Sequence, residues 1–116
     1  MPSKDLIILD KLIGYSEDIS DYVLDMDKEK FVADSKTMAA CAFSLGQIGE
    51  LSKKVSTEFR DKYNHIPWHK IYGLRNRLFH DYDGVNKMQM WFVVSEDIPK
   101  LKKDLEKVKQ DCLGSS

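Results

Sequence analysis

Apolar side chains recur every three or four residues along most of this 116-residue chain, and that spacing constrains its fold most strongly. In the N-terminal quarter the stripe consists of Leu9, Leu12, Ile13, Ile19, Tyr22, Val23 and Met26. A half-buried strand would alternate apolar and polar residues, and no stretch of the sequence shows that pattern. The chain is therefore predicted to be all-α.

Capping and proline signals divide the apolar pattern into four helices, with polar breaks near residues 25–30 and 60–65. The predicted helices cover residues 5–26, 35–59, 67–80 and 86–112. Asp34 or Ser35 suits the N-cap of the second helix, and Pro67 suits the first position of the third. Pro99 lies inside the last helix and should kink or split it.

These helices predict one domain over residues 1–116, with an ordered core of about residues 4–112. We expect an antiparallel four-helix bundle with a short third helix and a proline-kinked last helix. The inward stripe of the last helix is predicted to be Met88, Trp91, Phe92, Ser95, Ile98, Leu101, Leu105, Val108 and Cys112.

The second predicted helix is rich in small residues, which let another helix approach closely. They are Ala39, Ala40, Ala42, Ser44, Gly46 and Gly49. This stretch is either the seam of a homodimer or a close contact within one chain. The sequence leaves both interpretations open.

Composition and charge narrow the class of protein. No apolar run approaches the roughly 20 residues that span a bilayer, and the N-terminus lacks a signal-peptide pattern, so we expect a cytoplasmic protein. Cys41 and Cys112 are expected to be buried free thiols.

Net charge is −1, but residues 53–80 carry seven basic and two acidic side chains. This concentration suits an anionic ligand near the end of that segment, although it also fits an ordinary basic surface.

One polar cluster follows the basic segment: Arg75, Asn76, His80 and Tyr82. On a helix Arg75 falls within the apolar arc, whereas Arg77 falls on the opposite face. An arginine facing the interior needs a partner. The chemical interpretation is that Arg75 holds a phosphate, His80 transfers a proton and Asn76 orients them. The alternative is a helix end whose polar residues only cap and pair.

The sequence offers little support for a metal or cofactor. His65 and His69 are four residues apart, but Pro67 lies between them and no acidic or thiol side chain follows with ligand spacing. No glycine-rich phosphate loop is present either. We therefore expect neither a metal nor a cofactor.

The pattern Arg75-Asn76-x-x-x-His80-x-Tyr82, followed by Gly84-Val85, resembles the motif of HEPN domains, and specifically of the HepT-like toxins. Further matches stand in the same order and at similar spacing over residues 5–108. They are Asp34-x-Lys36-Thr37, Ile48-Gly49-Glu50, Ile66-Pro67-Trp68 and Trp91 through Asp97-Ile98-Pro99. Two departures are Leu51, where a small residue is expected, and Asp81, an extra anion beside His80.

This resemblance implies a homodimeric, metal-independent ribonuclease that acts as a toxin on RNA and leaves DNA intact. Arg75 and His80 match the family's catalytic pair, Asn76 matches the adjacent polar position, and Glu50 is a possible partner of Arg75. The implied antitoxin is a minimal nucleotidyltransferase that attaches AMP to Tyr82. The alternative is a non-catalytic helical dimer that binds a nucleotide or docks a nucleotidyltransferase.

Overall fold

A computed structural model describes residues 4–74 and 87–114, and within these ranges the chain forms helices and turns without a β-strand. The helices are α1 (Lys4–Tyr22), α2 (Lys28–Val32), α3 (Ser35–Ser52), α4 (Thr57–Lys62), α5 (Trp68–Tyr72), α6 (Lys87–Phe92), a π-helical segment (Val93–Asp97) and α7 (Ile98–Gly114). The all-α prediction is confirmed. None of these helices is long and apolar enough to cross a membrane.

The core lies where α1 packs against both α3 and α7. Its fully buried side chains include Leu9, Leu12, Ile19, Leu45, Ile48 and Leu105. Asp5, at the start of α1, accepts a 2.8 Å hydrogen bond from the backbone N–H of Ser56, just beyond the end of α3. Lys109 Nζ, late in α7, lies 2.8 Å from Asp10 Oδ1 in the first half of α1. Both α3 and α7 therefore run antiparallel to α1.

The first predicted helix is shorter than expected. α1 ends at Tyr22, and Asp25 adopts a positive φ of 64°, a left-handed conformation that does not continue a helix. The predicted polar break at residues 25–30 is partly wrong, because α2 begins at Lys28. Asp27 caps α2 by accepting a 2.8 Å hydrogen bond from the N–H of Lys30.

The second predicted helix is also shorter, since α3 ends at Ser52 rather than near residue 59. Ser56 then caps α4 by accepting a hydrogen bond from the N–H of Phe59, and the Ser56 hydroxyl donates to Asp5. α4 consequently occupies part of the expected polar connection at residues 60–65. Its start depends on a contact between residues 51 positions apart, which local spacing does not reveal.

The predicted inward stripe of the last helix is correct for most of α7 and only in part for α6. Ile98, Leu101, Leu105 and Val108 are buried. In α6, Trp91 packs against the core with its ring centre 5.3 Å from that of Phe31, whereas Met88 and Phe92 are 51% and 58% exposed. The buried residues before α7 are instead Met90, Val93 and Val94. A π turn contains an extra residue, so it rotates the inward face by about 100° between the flanking helices. The predicted interruption near Pro99 falls at this segment, which ends two residues earlier.

Both cysteines are free, but only Cys41 is buried. Burial raises the pKa of the Cys41 thiol to about 11. Cys112 is half-buried, contrary to the prediction, and its Sγ lies 3.3 Å from the hydroxyl of Tyr63. That hydroxyl donates a 2.6 Å hydrogen bond to Asp111, so the segment after α4 is held against the C-terminal end of α7.

Candidate functional site

The structure places only one of the predicted site residues, because Arg75, Asn76, His80 and Tyr82 lie outside the residues that it describes. Glu50, on α3, is described. The described residues form the scaffold that leads up to Leu74, the residue immediately before Arg75.

The segment around α5 is firmly packed. The indole N–H of Trp68 donates a 3.1 Å hydrogen bond to the backbone carbonyl of Tyr63, and Trp68, Ile71 and Leu74 are all buried. Pro67 is the N-cap of α5, so the helix begins one position after its predicted start at Pro67, and Gly73 is the C-cap. The part of the third predicted helix that follows Leu74 lies beyond the described range.

Gly49 allows α5 to sit closely on α3. A Cβ atom built on Gly49 would lie 3.2 Å from the backbone oxygen of Ile71 and 3.8 Å from that of Tyr72. A Cβ on Gly46, one turn earlier, would meet no heavy atom within 4 Å. At Gly49, therefore, the small-residue stretch serves a contact within the chain, and this contact sets the position of the segment that enters the motif.

Glu50 follows Gly49 and lies half-exposed, with one carboxylate oxygen 3.6 Å from Lys53 Nζ. The predicted pairing of Glu50 with Arg75 involves a residue outside the described ranges and stays a prediction. Glu50 therefore places a carboxylate on the turn of α3 that contacts α5.

Sequence reasoning missed a pair beside that turn, Arg60 on α4 and Tyr72 on α5. The Arg60 guanidinium carbon lies 5.6 Å from the centre of the Tyr72 ring, a cation–π arrangement. Arg60 Nε and the Tyr72 hydroxyl are both buried, and neither has a hydrogen-bond partner in the described structure. Leaving a buried polar atom unsatisfied costs about 1–3 kcal/mol, so this pair is held at a free-energy cost. The only sequence signal was the basic excess of residues 53–80.

A cavity of about 330 Å³ opens on the other side of α5, between this helix, the π segment and α7. Its lining contains an apolar group of Pro67, Ile71, Leu74, Val93, Ile98 and Leu101, and a polar group of His65, Lys70, Asp97, Lys100 and Asp104. Local residue spacing does not predict this cavity, because its walls come from segments about 30 residues apart.

The predicted histidine pair has no metal site around it in the described residues. His65 lines the cavity, whereas the His69 ring packs edge-on against Tyr72 at 5.9 Å. Within residues 4–74 and 87–114, no group of three or more His, Cys, Asp or Glu side chains is arranged to hold a metal ion.

Comparison with known proteins identifies the family. A family profile described as Ribonuclease HepT-like matches residues 12–108. The chain belongs to the HepT-like family. No solved structure matches this HepT-like chain significantly.

Three relatives of this HepT-like chain cover most of its length. It is 36% identical to "Putative RNase MJ0125" of Methanocaldococcus jannaschii over 96% of this chain and 97% of the relative. It is 34% identical to "Putative RNase MJ1216" of the same organism over 98% and 95%. "Probable ribonuclease HepT" of Thermococcus cleftensis is 36% identical over 79% of this chain and 84% of the relative.

Three of the HepT-like sequence blocks have structural roles in this chain. Asp34 caps α3, because one carboxylate oxygen accepts the N–H of Thr37 at 3.1 Å and the other accepts its hydroxyl at 2.8 Å. Gly49 permits the α3–α5 approach, and Trp68 anchors α5 to the preceding loop. These blocks build the support for the segment that begins at Arg75.

Proposed function

We propose that this HepT-like chain is a metal-independent endoribonuclease that acts as a toxin, with Arg75 and His80 as its catalytic residues. The observation that carries the proposal is the Arg75–His80 motif in a chain that matches the HepT-like profile over residues 12–108. The proposal is also supported by the basic character of the described segment before the motif, where residues 53–74 carry five basic and two acidic side chains.

The proposed reaction needs only groups that His and Arg supply. The RNA 2′-hydroxyl attacks the adjacent phosphorus while one histidine accepts its proton, and the bond to the 5′-oxygen breaks. A histidine returns a proton to the leaving 5′-oxygen, and the other product carries a 2′,3′-cyclic phosphate. Arg75 neutralises the non-bridging oxygens as negative charge develops on them. DNA lacks the attacking hydroxyl and is not a substrate.

A homodimer supplies a second histidine and a second arginine to one cleft. We propose that α3 contributes to the seam, because its outer face carries little charge. Phe43 is 61% exposed and packs edge-on against Tyr15 of α1 at 6.4 Å, and Ala39 and Gly46 flank Phe43 on the same face. Glu50 lies two turns after Phe43 on that face, so the seam would run toward the motif.

The proposed partner is a minimal nucleotidyltransferase antitoxin that adds AMP to the hydroxyl of Tyr82. The attached phosphate would compete with RNA phosphate for Arg75, and its charge and bulk would exclude the substrate. A toxin of this kind acts on cytoplasmic RNA. Intact mass and peptide mapping after co-expression with the partner would reveal AMP on Tyr82, whereas unmodified Tyr82 in a neutralised complex would refute this regulation.

The catalytic proposal is tested with purified chain and a defined RNA in EDTA. We expect cleavage with cyclic-phosphate ends, slowed by about two or more orders of magnitude in Arg75→Ala and His80→Ala. Arg77→Ala is the matched arginine control and should retain activity. A folded His80→Ala protein that cuts as fast as the original chain would refute the assignment and favour a binding module instead. Activity lost in EDTA and restored by a divalent ion would refute metal independence.

A further inference from the structure

The cavity beside α5 has the form of a small-ligand site. Its volume of about 330 Å³ lies at the lower end of the range for ligand pockets, about 300–1,000 Å³. Ile71 and Leu74, in and just after α5, and Val93, Ile98 and Leu101, from the π segment and α7, supply its apolar lining. An apolar lining of this kind suits the faces of a flat aromatic ring.

The polar groups of the cavity include a well-placed hydrogen-bond acceptor. The Asp104 side chain is 24% exposed, and the Lys100 ammonium lies 3.5 Å from its Oδ2. Lys100 is 81% exposed and Lys70 is exposed, so both ammonium groups can turn toward an anion at the rim. A carboxylate only accepts hydrogen bonds, so the Asp104 side chain selects ligand groups that donate.

The position of the cavity links it to the motif through the covalent chain. Leu74 lines the cavity, and Arg75 is the next residue. Consecutive Cα atoms are about 3.8 Å apart, so the motif begins one residue after a wall of the cavity.

We propose that this cavity is a base-binding subsite that receives one unstacked base of the RNA substrate, with a preference for guanine. This inference rests on the proposed ribonuclease function and adds the sequence preference of the same site. Single-stranded RNA is read by splaying bases out and bonding to their edges. Guanine presents two adjacent donors, N1–H and the 2-amino group, to a carboxylate such as Asp104, whereas uracil presents one. Lys70 and Lys100 would meet the flanking phosphates at the rim.

The first experiment compares cleavage of matched oligonucleotides that differ only in guanine or uracil beside the cut site. The original chain should prefer guanine, and Asp104→Asn should reduce that preference by about tenfold, since one good bidentate base contact contributes a factor of this order. Glu106→Gln is the control, because Glu106 is exposed on the same helix and does not line the cavity. An unchanged preference in folded Asp104→Asn would overturn the proposal while leaving ribonuclease activity intact.

The second experiment needs no cleavage. Methyl NMR of the intact protein, titrated with GMP and with UMP, should show larger shifts at Ile71, Ile98 and Leu101 with GMP, and Asp104→Asn should reduce them. If Asp104→Asn does not fold, the comparison of GMP with UMP on the original chain still tests the proposal. The proposal is wrong if neither nucleotide moves the cavity methyl groups or if both move them equally. A chain that binds GMP here but cuts no RNA would separate this site from the ribonuclease proposal.

Discussion

Replacing Gly49 with alanine tests whether the α3–α5 contact positions the entry to the motif. The new Cβ would lie 3.2 Å from the Ile71 carbonyl oxygen, closer than an ordinary van der Waals contact, and 3.8 Å from that of Tyr72. The tighter obstacle is backbone, so relief requires α5 to move by a few tenths of an ångström. Gly14→Ala is the control, because Gly14 lies inside α1 and a Cβ there meets nothing within 4 Å.

Both substitutions stabilise a helix, but only Gly49→Ala adds a steric clash with α5. Replacing a helical glycine by alanine stabilises a helix by up to about 1 kcal/mol, so Gly14→Ala should raise the free energy of unfolding by roughly that amount. Forcing extra volume into a packed contact costs about 1–3 kcal/mol. Gly49→Ala should therefore be about 1–3 kcal/mol less stable than Gly14→Ala, which isolates the cost of the contact.

Urea unfolding followed by circular dichroism measures this difference, and RNA cleavage measured well below the unfolding midpoint reports on the motif. Gly49→Ala should remain folded and yet cleave more slowly, because α5 leads directly into Arg75, whereas Gly14→Ala should cleave normally. Equal stabilisation by both substitutions, with unchanged cleavage, would refute the idea that this contact sets the position of the motif.

Three further predictions follow from other described contacts. Hydrogen bonds from the backbone and side chain of Thr37 lower the pKa of Asp34. The contribution of ionised Asp34 to stability is therefore complete above its unfolded pKa of about 3.9, and it is lost as pH falls through the lower pKa of the folded state. The stability difference between the original chain and Asp34→Asn in urea should accordingly change between pH 5 and pH 2, and a constant difference would contradict this. Phe43→Asp should shift the sedimentation profile from dimer to monomer, while Leu24→Asp, at a 70% exposed position after α1, should leave it unchanged; a dimeric Phe43→Asp would exclude this seam. Iodoacetamide at pH 8 should modify Cys41 much more slowly than Cys112 in the folded protein, because burial raises the pKa of the Cys41 thiol to about 11, and equal rates would show that Cys41 is accessible.

Local signals in the sequence predicted much of the scaffold. The three-and-four spacing around Leu9 and Leu45 requires helices with one buried face, and both side chains are fully buried. Asp34 caps α3 as expected, because its carboxylate bonds to a residue only three positions later. The catalytic assignment of Arg75 and His80 also comes from the sequence, through residue chemistry and family resemblance, and it awaits the tests above.

Tertiary contacts decided where the helices end and which surfaces meet. Apolar spacing alone predicted that the second helix continues past Ser52. In the structure α3 ends at Ser52, and Ser56, held by its hydrogen bond to Asp5, begins α4. The π segment rotated the inward face before Ile98, a shift that a constant helical period does not predict. The Gly49 contact and the cavity beside Leu74 arise only when distant segments pack together, because both depend on distances through space that local residue patterns do not encode.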